Sequence, residues 1–187
     1  MLRSAPILLA PGHAHRSGRW QADPTRLPLS LERIAPSDTR ANTVPPRLVG
    51  WLGYGGLLPF VGLAVARLMG LGPAGTAGNA LIAYGAVILS FVGALHWAFA
   101  MTLPALSADL RQGRYAWSVL PSLVAWVALL LPAVAGALLL AATFLLHLWQ
   151  DHRLAKAADA ALPAWYLPLR WRLTAVAVAC LASVALR

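Results

Sequence analysis

Residues 84–101 read YGAVILSFVGALHWAFAM, an apolar run without a formal charge that holds one histidine, His96. Such a run reads as a membrane-spanning helix. An imidazole at membrane depth must face protein or water, which makes His96 the first residue of functional interest. The rest of the chain is read outward from it.

Composition points to the same solvent. Hydrophobic residues make up 59% of the 187 and charged residues 11%, with a mean hydropathy of +0.67. A soluble domain covers its surface with roughly a quarter charged residues, so lipid must surround most of this chain. The net charge of +9 comes from 15 Lys+Arg against 6 Asp+Glu. These cations stand at the ends of apolar runs and not in one basic stripe, which fits the orientation of membrane spans and argues against nucleic acid as a partner. The one cysteine, Cys180, excludes an intramolecular disulfide and a cysteine metal cluster, and it reads as a small core residue.

The expected architecture is all-α: a polytopic membrane helix bundle of about five transmembrane helices with its N-terminus inside. Residues 1–46, with seven prolines and little periodicity, read as a disordered basic arm on the cytoplasmic side. The spans are expected over 48–69, 79–103, 116–131, 133–149 and 173–186. In the first, Pro59 should kink a glycine-rich helix. In the second, Ala86, Ser90 and Ala94 repeat every four residues and set small side chains on one face. In the third, Ser118 and Ser122 flank Pro121 and are placed to satisfy the carbonyl it frees.

The 34 residues 116–149 carry no formal charge. As one helix they would reach about 51 Å, against a hydrocarbon core of about 30 Å. Cut at Pro132, they become two spans. Charge decides between the two readings. With five spans, Arg33, Arg40, Arg47, Arg111, Arg114, Arg153, Lys156, Arg170 and Arg172 fall inside, and only Arg67 and Arg187 outside. With four, that asymmetry disappears, so the positive-inside rule selects five. Segment 151–170 then becomes the longest inner loop, with a short interfacial helix over 154–161. The following basic and aromatic group, Trp165, Tyr166, Arg170, Trp171 and Arg172, lies at the inner interface.

Four motifs in order carry a resemblance: GYGGLLPFVGLA in the first span, YGAVILSFVGALHWAFA in the second, YAWSVLPSLVAWVALLLP in the third, and LWQDHR followed by PAWYLPLRWRLT near the end. Together they resemble the family called domain of unknown function 3429, which is similar to the mitochondrial transmembrane protein 69. The resemblance covers about 44–186. It implies a multi-pass protein of the bacterial inner membrane or, alternatively, the mitochondrial inner membrane. It carries over no activity and no catalytic residue.

The candidate intramembrane polar site comprises His96, His147, Asp151, Ser90 and Tyr84. His147 and Asp151 lie four apart, hence on one helix face, in the same half of the bilayer as His96. A carboxylate that orients an imidazole tunes it as a ligand or proton carrier. The plainer reading has His96 donating to a backbone carbonyl while His147 and Asp151 finish a helix end. Asp151 near a helix C-terminus opposes the dipole and needs a partner, for which Arg172, Arg170 and His147 are candidates. No cofactor is expected; haem or a metal through His96 and His147 is the alternative. Gly53-Tyr54-Gly55 lacks the preceding residues and pore helix of a potassium filter. No metalloprotease, hydrolase, P-loop or Rossmann signature is present, so no enzyme is expected. Two functions fit these residues. One is a structural or assembly partner of a membrane complex, in contact with other membrane proteins or a second copy. The other is a small-solute or proton-linked carrier centred on His96 with His147 and Asp151.

Overall fold

A computed structural model describes residues 45–104, 106–157 and 162–186. The expected arm, 1–46, lies outside the described residues except for Pro45 and Pro46. The described chain is all-helical: α1 Arg47–Gly55, α2 Leu57–Leu68, α3 Thr76–Thr102, α4 Ala108–Leu130, α5 Ala133–Ala157 and α6 Tyr166–Ala182, the last extended by a 3-10 turn Ser183–Leu186. No strand occurs among the described residues. With α1–α2 and α6 with its 3-10 turn each counted once, five segments are long and apolar enough to cross a membrane. The spans alternate in direction, so one end of the bundle carries Arg47, Thr102, Ala108, Ala157 and Tyr166.

The punctuation of the chain follows from its glycines and prolines. The first span is interrupted at Gly56, three residues before Pro59, because proline lacks an N–H and its ring crowds the preceding turn. Tyr84 Oη donates to the Gly56 carbonyl at 2.9 Å and supports that interruption. Helix α2 ends in a Schellman motif. Gly70 takes φ +67, Leu71 N–H donates to Ala66 O at 2.8 Å and Gly70 N–H to Arg67 O at 3.1 Å. Ser107 caps α4, its hydroxyl accepting from Leu110 N–H, with Asp109 in the first turn. The α4–α5 break falls at Pro132: Leu131 before it is extended, as a residue preceding proline prefers. Gly136 then lets α5 turn back closely, since a Cβ there would collide with the Ala128 carbonyl.

Helix α3 is the axis of the bundle. It packs on α4 most extensively and also on α2, α5 and α6. The main core joins Phe60, Leu81, Leu89, Leu140, Phe144 and Leu181. The close approach of α3 to α4 rests on Gly93, where an added Cβ would lie 2.9 Å from Pro121 Cβ. Gly85 does the same against Leu181 and Leu140. This corrects the expected Ala86–Ser90–Ala94 face: Ala86 is buried, but Ala94 is exposed and Ser90 donates back to Ala86 O. Ser118 also serves another carbonyl than expected. Its hydroxyl donates to Tyr115 O at 2.7 Å, not to the Trp117 carbonyl four residues before Pro121.

Two boundaries differ from the expected ones. Helix α5 continues to Ala157, because Leu154 is fully buried against Leu103 and Leu106 of the α3–α4 connection. The expected interfacial helix over 154–161 is therefore the end of α5 as far as it is described; residues 158–161 lie outside the described residues. Helix α6 begins at Tyr166, seven residues before the expected 173, so the last span with its 3-10 turn runs over 21 residues.

Candidate functional site

The early start of α6 decides the site. Tyr166 and Arg170 stand four apart on one face, as do His147 and Asp151 on α5. His96 of α3 meets both pairs at the same level. His96, His147 and Asp151 have no solvent exposure at all, and Arg170 and Tyr166 are buried.

Asp151 is the hub. Its Oδ1 accepts from His96 Nε2 at 3.0 Å and from Tyr166 Oη at 3.1 Å, and its Oδ2 accepts from Arg170 Nε at 2.7 Å. His147 Nε2 faces the same Oδ1 at 3.9 Å, beyond hydrogen-bond length. One carboxylate thus joins α3, α5 and α6, and its charge is offset by Arg170. Desolvating such a pair is costly, and the additional donors to the carboxylate are what make the burial tolerable. Three donated bonds on a buried acceptor also answer the dipole objection to Asp151 near a helix end.

A fourth helix enters through Trp117 of α4. Its indole Nε1–H donates to His147 Nδ1 at 3.1 Å, with the two ring planes 15° from parallel. An indole nitrogen only donates. His147 Nδ1 is therefore an acceptor, and the proton of this imidazole sits on Nε2. That N–H faces Asp151 Oδ1 at 3.9 Å without closing a bond. His96, whose ring stands edge-on to His147 with centroids 4.8 Å apart, has the complementary deficit: its Nδ1 lacks a partner. Phe99 packs between His96 and Tyr166, with centroids 6.0 and 5.5 Å away.

The expected residues therefore divide. The structure brings His96, His147, Asp151, Tyr166 and Arg170 together. Tyr84 and Ser90 stand apart, spent on the carbonyls of Gly56 and Ala86. Trp171 and Arg172 are exposed, and Arg172 donates to Tyr54 Oη at 3.4 Å. Trp165 is half-buried beside Tyr166. Tyr166 and Arg170, expected among the inner-interface residues, turn from the first turns of α6 into the bundle, and Arg170 is the partner of Asp151 that the sequence offered as one candidate. Their i, i+4 spacing was the available signal, hidden by starting the helix too late. Trp117 left no signal in its sequence spacing.

His96, His147 and Asp151 present ligand atoms within 4.8 Å of one another. Two imidazoles and a carboxylate are a donor set used by several divalent metals. A ligating histidine ordinarily donates its second ring N–H to an outer partner; His147 Nδ1 receives one.

The model of the family described as "protein of unknown function (DUF3429)" matches residues 45–186. The chain belongs to this family. The DUF3429 match takes in every residue of the Asp151 cluster and all five spans. No curated protein and no solved structure matches the chain.

Proposed function

We propose that this protein is a structural or assembly component of a larger membrane complex, seated in a bacterial inner membrane or, alternatively, a mitochondrial one, and that it is not an enzyme. The observation that carries this reading is the contrast between its first span and the others. Only 11% of the apolar window of Arg47–Leu68 is buried, against 44% for α3 and for α5. Gly55 at the end of α1 and Gly62 in α2 have nothing within 4 Å of an added Cβ. Glycine in a membrane helix serves close approach of another backbone; these two positions meet none among the described residues. The buried Asp151 cluster then acts as an internal brace that holds α3, α4, α5 and α6 rigid for docking.

A metal or haem does not suit that cluster. Ligation through His147 Nε2 would move its proton to Nδ1, against the Trp117 N–H. Imidazole rings 4.8 Å apart leave no room for a macrocycle between them.

The test is affinity purification of the full-length protein in mild detergent with mass analysis of what accompanies it. A stoichiometric membrane partner that is lost in a Gly55→Leu/Gly62→Leu variant supports the reading. A wild-type protein that purifies alone as a monomer, from cells expressing it at native level, overturns it.

The unpartnered His96 Nδ1 and His147 Nε2 beside one carboxylate favour a second reading, a proton-linked carrier. Proteoliposomes that show a pH-dependent flux, abolished in His96→Ala, would select it; equal flux in a folded His96→Ala variant removes its centre.

A further inference from the structure

A hollow of about 240 Å³ opens between α4 and α5, near the end of the bundle that carries Ala108 and Ala157. Its polar border is Arg114, Gln150, Arg153 and Asp109, and its apolar border includes Trp117 and Leu120. The volume falls below the ~300–1,000 Å³ of sites that enclose a whole ligand. It suits a headgroup whose remainder lies outside.

The charges around it do not balance. Arg114 is buried, at 6% exposure, and its Nη1 donates to the Gln150 carbonyl at 3.3 Å and to Gln150 Oε1 at 3.1 Å. Both acceptors are neutral. Its Nε and Nη2 bond nothing among the described residues and, unlike Arg170 Nη2, are not sealed from the surface. Arg153 is exposed and lies over the Trp149 ring, 4.9 Å from its centroid. Among the described residues neither arginine makes an ion pair: Asp151 is taken by Arg170 and His96, and Asp109, in the first turn of α4, pairs with neither. Two guanidinium groups and one carboxylate leave one positive charge at the hollow. A cation drawn out of water is costly unless an anion offsets it. A phosphodiester, with its single negative charge, cancels the excess, and a guanidinium fork matches its oxygens. A zwitterionic headgroup would leave the excess in place.

Two features make a lipid the source of that phosphate. Trp117 and Trp149 are side chains of the kind that gathers at the boundary of a bilayer. From the hollow an exposed apolar stripe, Ala116, Leu120, Leu123 and Val127, follows α4 at helical spacing. It is about 16 Å long, half of a hydrocarbon core of about 30 Å, which is the reach of one acyl chain in its own leaflet.

We infer that the hollow binds the phosphate of an anionic phospholipid between Arg114 and Arg153, with an acyl chain along Ala116, Leu120 and Leu123. The full-length protein in mild detergent, offered phosphatidylglycerol and phosphatidylcholine of the same chains and read by native mass spectrometry, should retain phosphatidylglycerol in preference. Arg153→Gln should lower that preference about fivefold, and Arg114→Gln about tenfold. Lys156→Gln removes a cation from the same helix away from the hollow and should leave the preference unchanged. Arg153 and Lys156 are exposed, so their variants keep the fold even if Arg114→Gln does not. Equal retention of the two lipids by the wild type overturns the inference. So does an equal loss in Arg153→Gln and Lys156→Gln, which would reduce the effect to the general pull of a basic surface. Inorganic phosphate that raises the thermal midpoint of lipid-free protein as much as phosphatidylglycerol does, or an acidic protein that Arg153→Gln releases, removes the lipid as occupant.

Discussion

Helix α3 is held to its neighbours by two different means on its two sides. Toward α4 it relies mainly on absence: Gly93 lets the backbone settle on Pro121 in close van der Waals packing, with a polar tie at the helix end, where Arg111 donates to the Ala100 carbonyl. Toward α5 and α6 it uses a charged hub, with His96 bonded to an Asp151 that also holds Tyr166 and Arg170. In lipid no hydrophobic force distinguishes a helix surface from an acyl chain, so close packing and polar bonds are the means available. The difference lies in how each fails. A packed glycine fails by degrees as atoms are added, whereas a buried charge pair fails at once when one partner goes.

The sharpest way to break the comparison is at the hub. Asp151→Ala leaves Arg170 charged and unpaired in the interior, with an expected loss of about 3–5 kcal/mol, read as a fall in thermal midpoint in detergent or as absence of folded protein. The double variant Asp151→Leu/Arg170→Leu should recover most of that loss, because it removes both charges. A double variant as unstable as the single would show that the hub does more than compensate charge. The packed side comes next. Gly93→Val should cost about 1–3 kcal/mol by overpacking, while Gly62→Ala, with open space around it, should be neutral or stabilise by up to about 1 kcal/mol through helix propensity. Equal effects at the two glycines would remove the close-packing account of α3 and α4.

Smaller effects refine the polar side. Trp117→Phe keeps the ring but deletes the indole N–H, and should cost about 0.6 kcal/mol, the average for a polar contact inside a membrane protein. Its better readout is the His147 tautomer: ring-nitrogen chemical shifts should place the proton on Nε2 in the wild type and show tautomer exchange in the variant. Ser90→Ala, which removes only a bond within its own helix, should stay within about 0.5 kcal/mol. A large effect there would place Ser90 back in the site.

Much of the bundle was legible before any coordinates. The division of 116–149 at Pro132 followed from length and from the placement of arginines, because hydrocarbon thickness limits a helix directly. The polar site was legible in part. His96 stood out as an ionisable ring in an uncharged run, and His147 with Asp151 as an i, i+4 pair. Ser90 and Tyr84 are polar residues of the same span, but Ser90 bonds within its own helix and Tyr84 bonds the Gly56 carbonyl of the first span, and a sequence does not separate such hydroxyls from ones that join the site. Arg170 was legible as one of three candidate partners for Asp151, but Tyr166 was not, because PAWYLPLRWRLT reads as a boundary segment and helix α6 begins inside it.

By itself, then, the sequence determined the solvent, the number of spans and the presence of buried ionisable groups, all properties of composition and of lengths measured against a bilayer. Only the tertiary structure decided which side chains share Asp151, which glycines carry contact, and which arginines border the hollow between α4 and α5. Those depend on the rotation of each helix about its axis and on where α6 starts. A rotation is set by contacts among residues distant in the chain, and no local pattern records it.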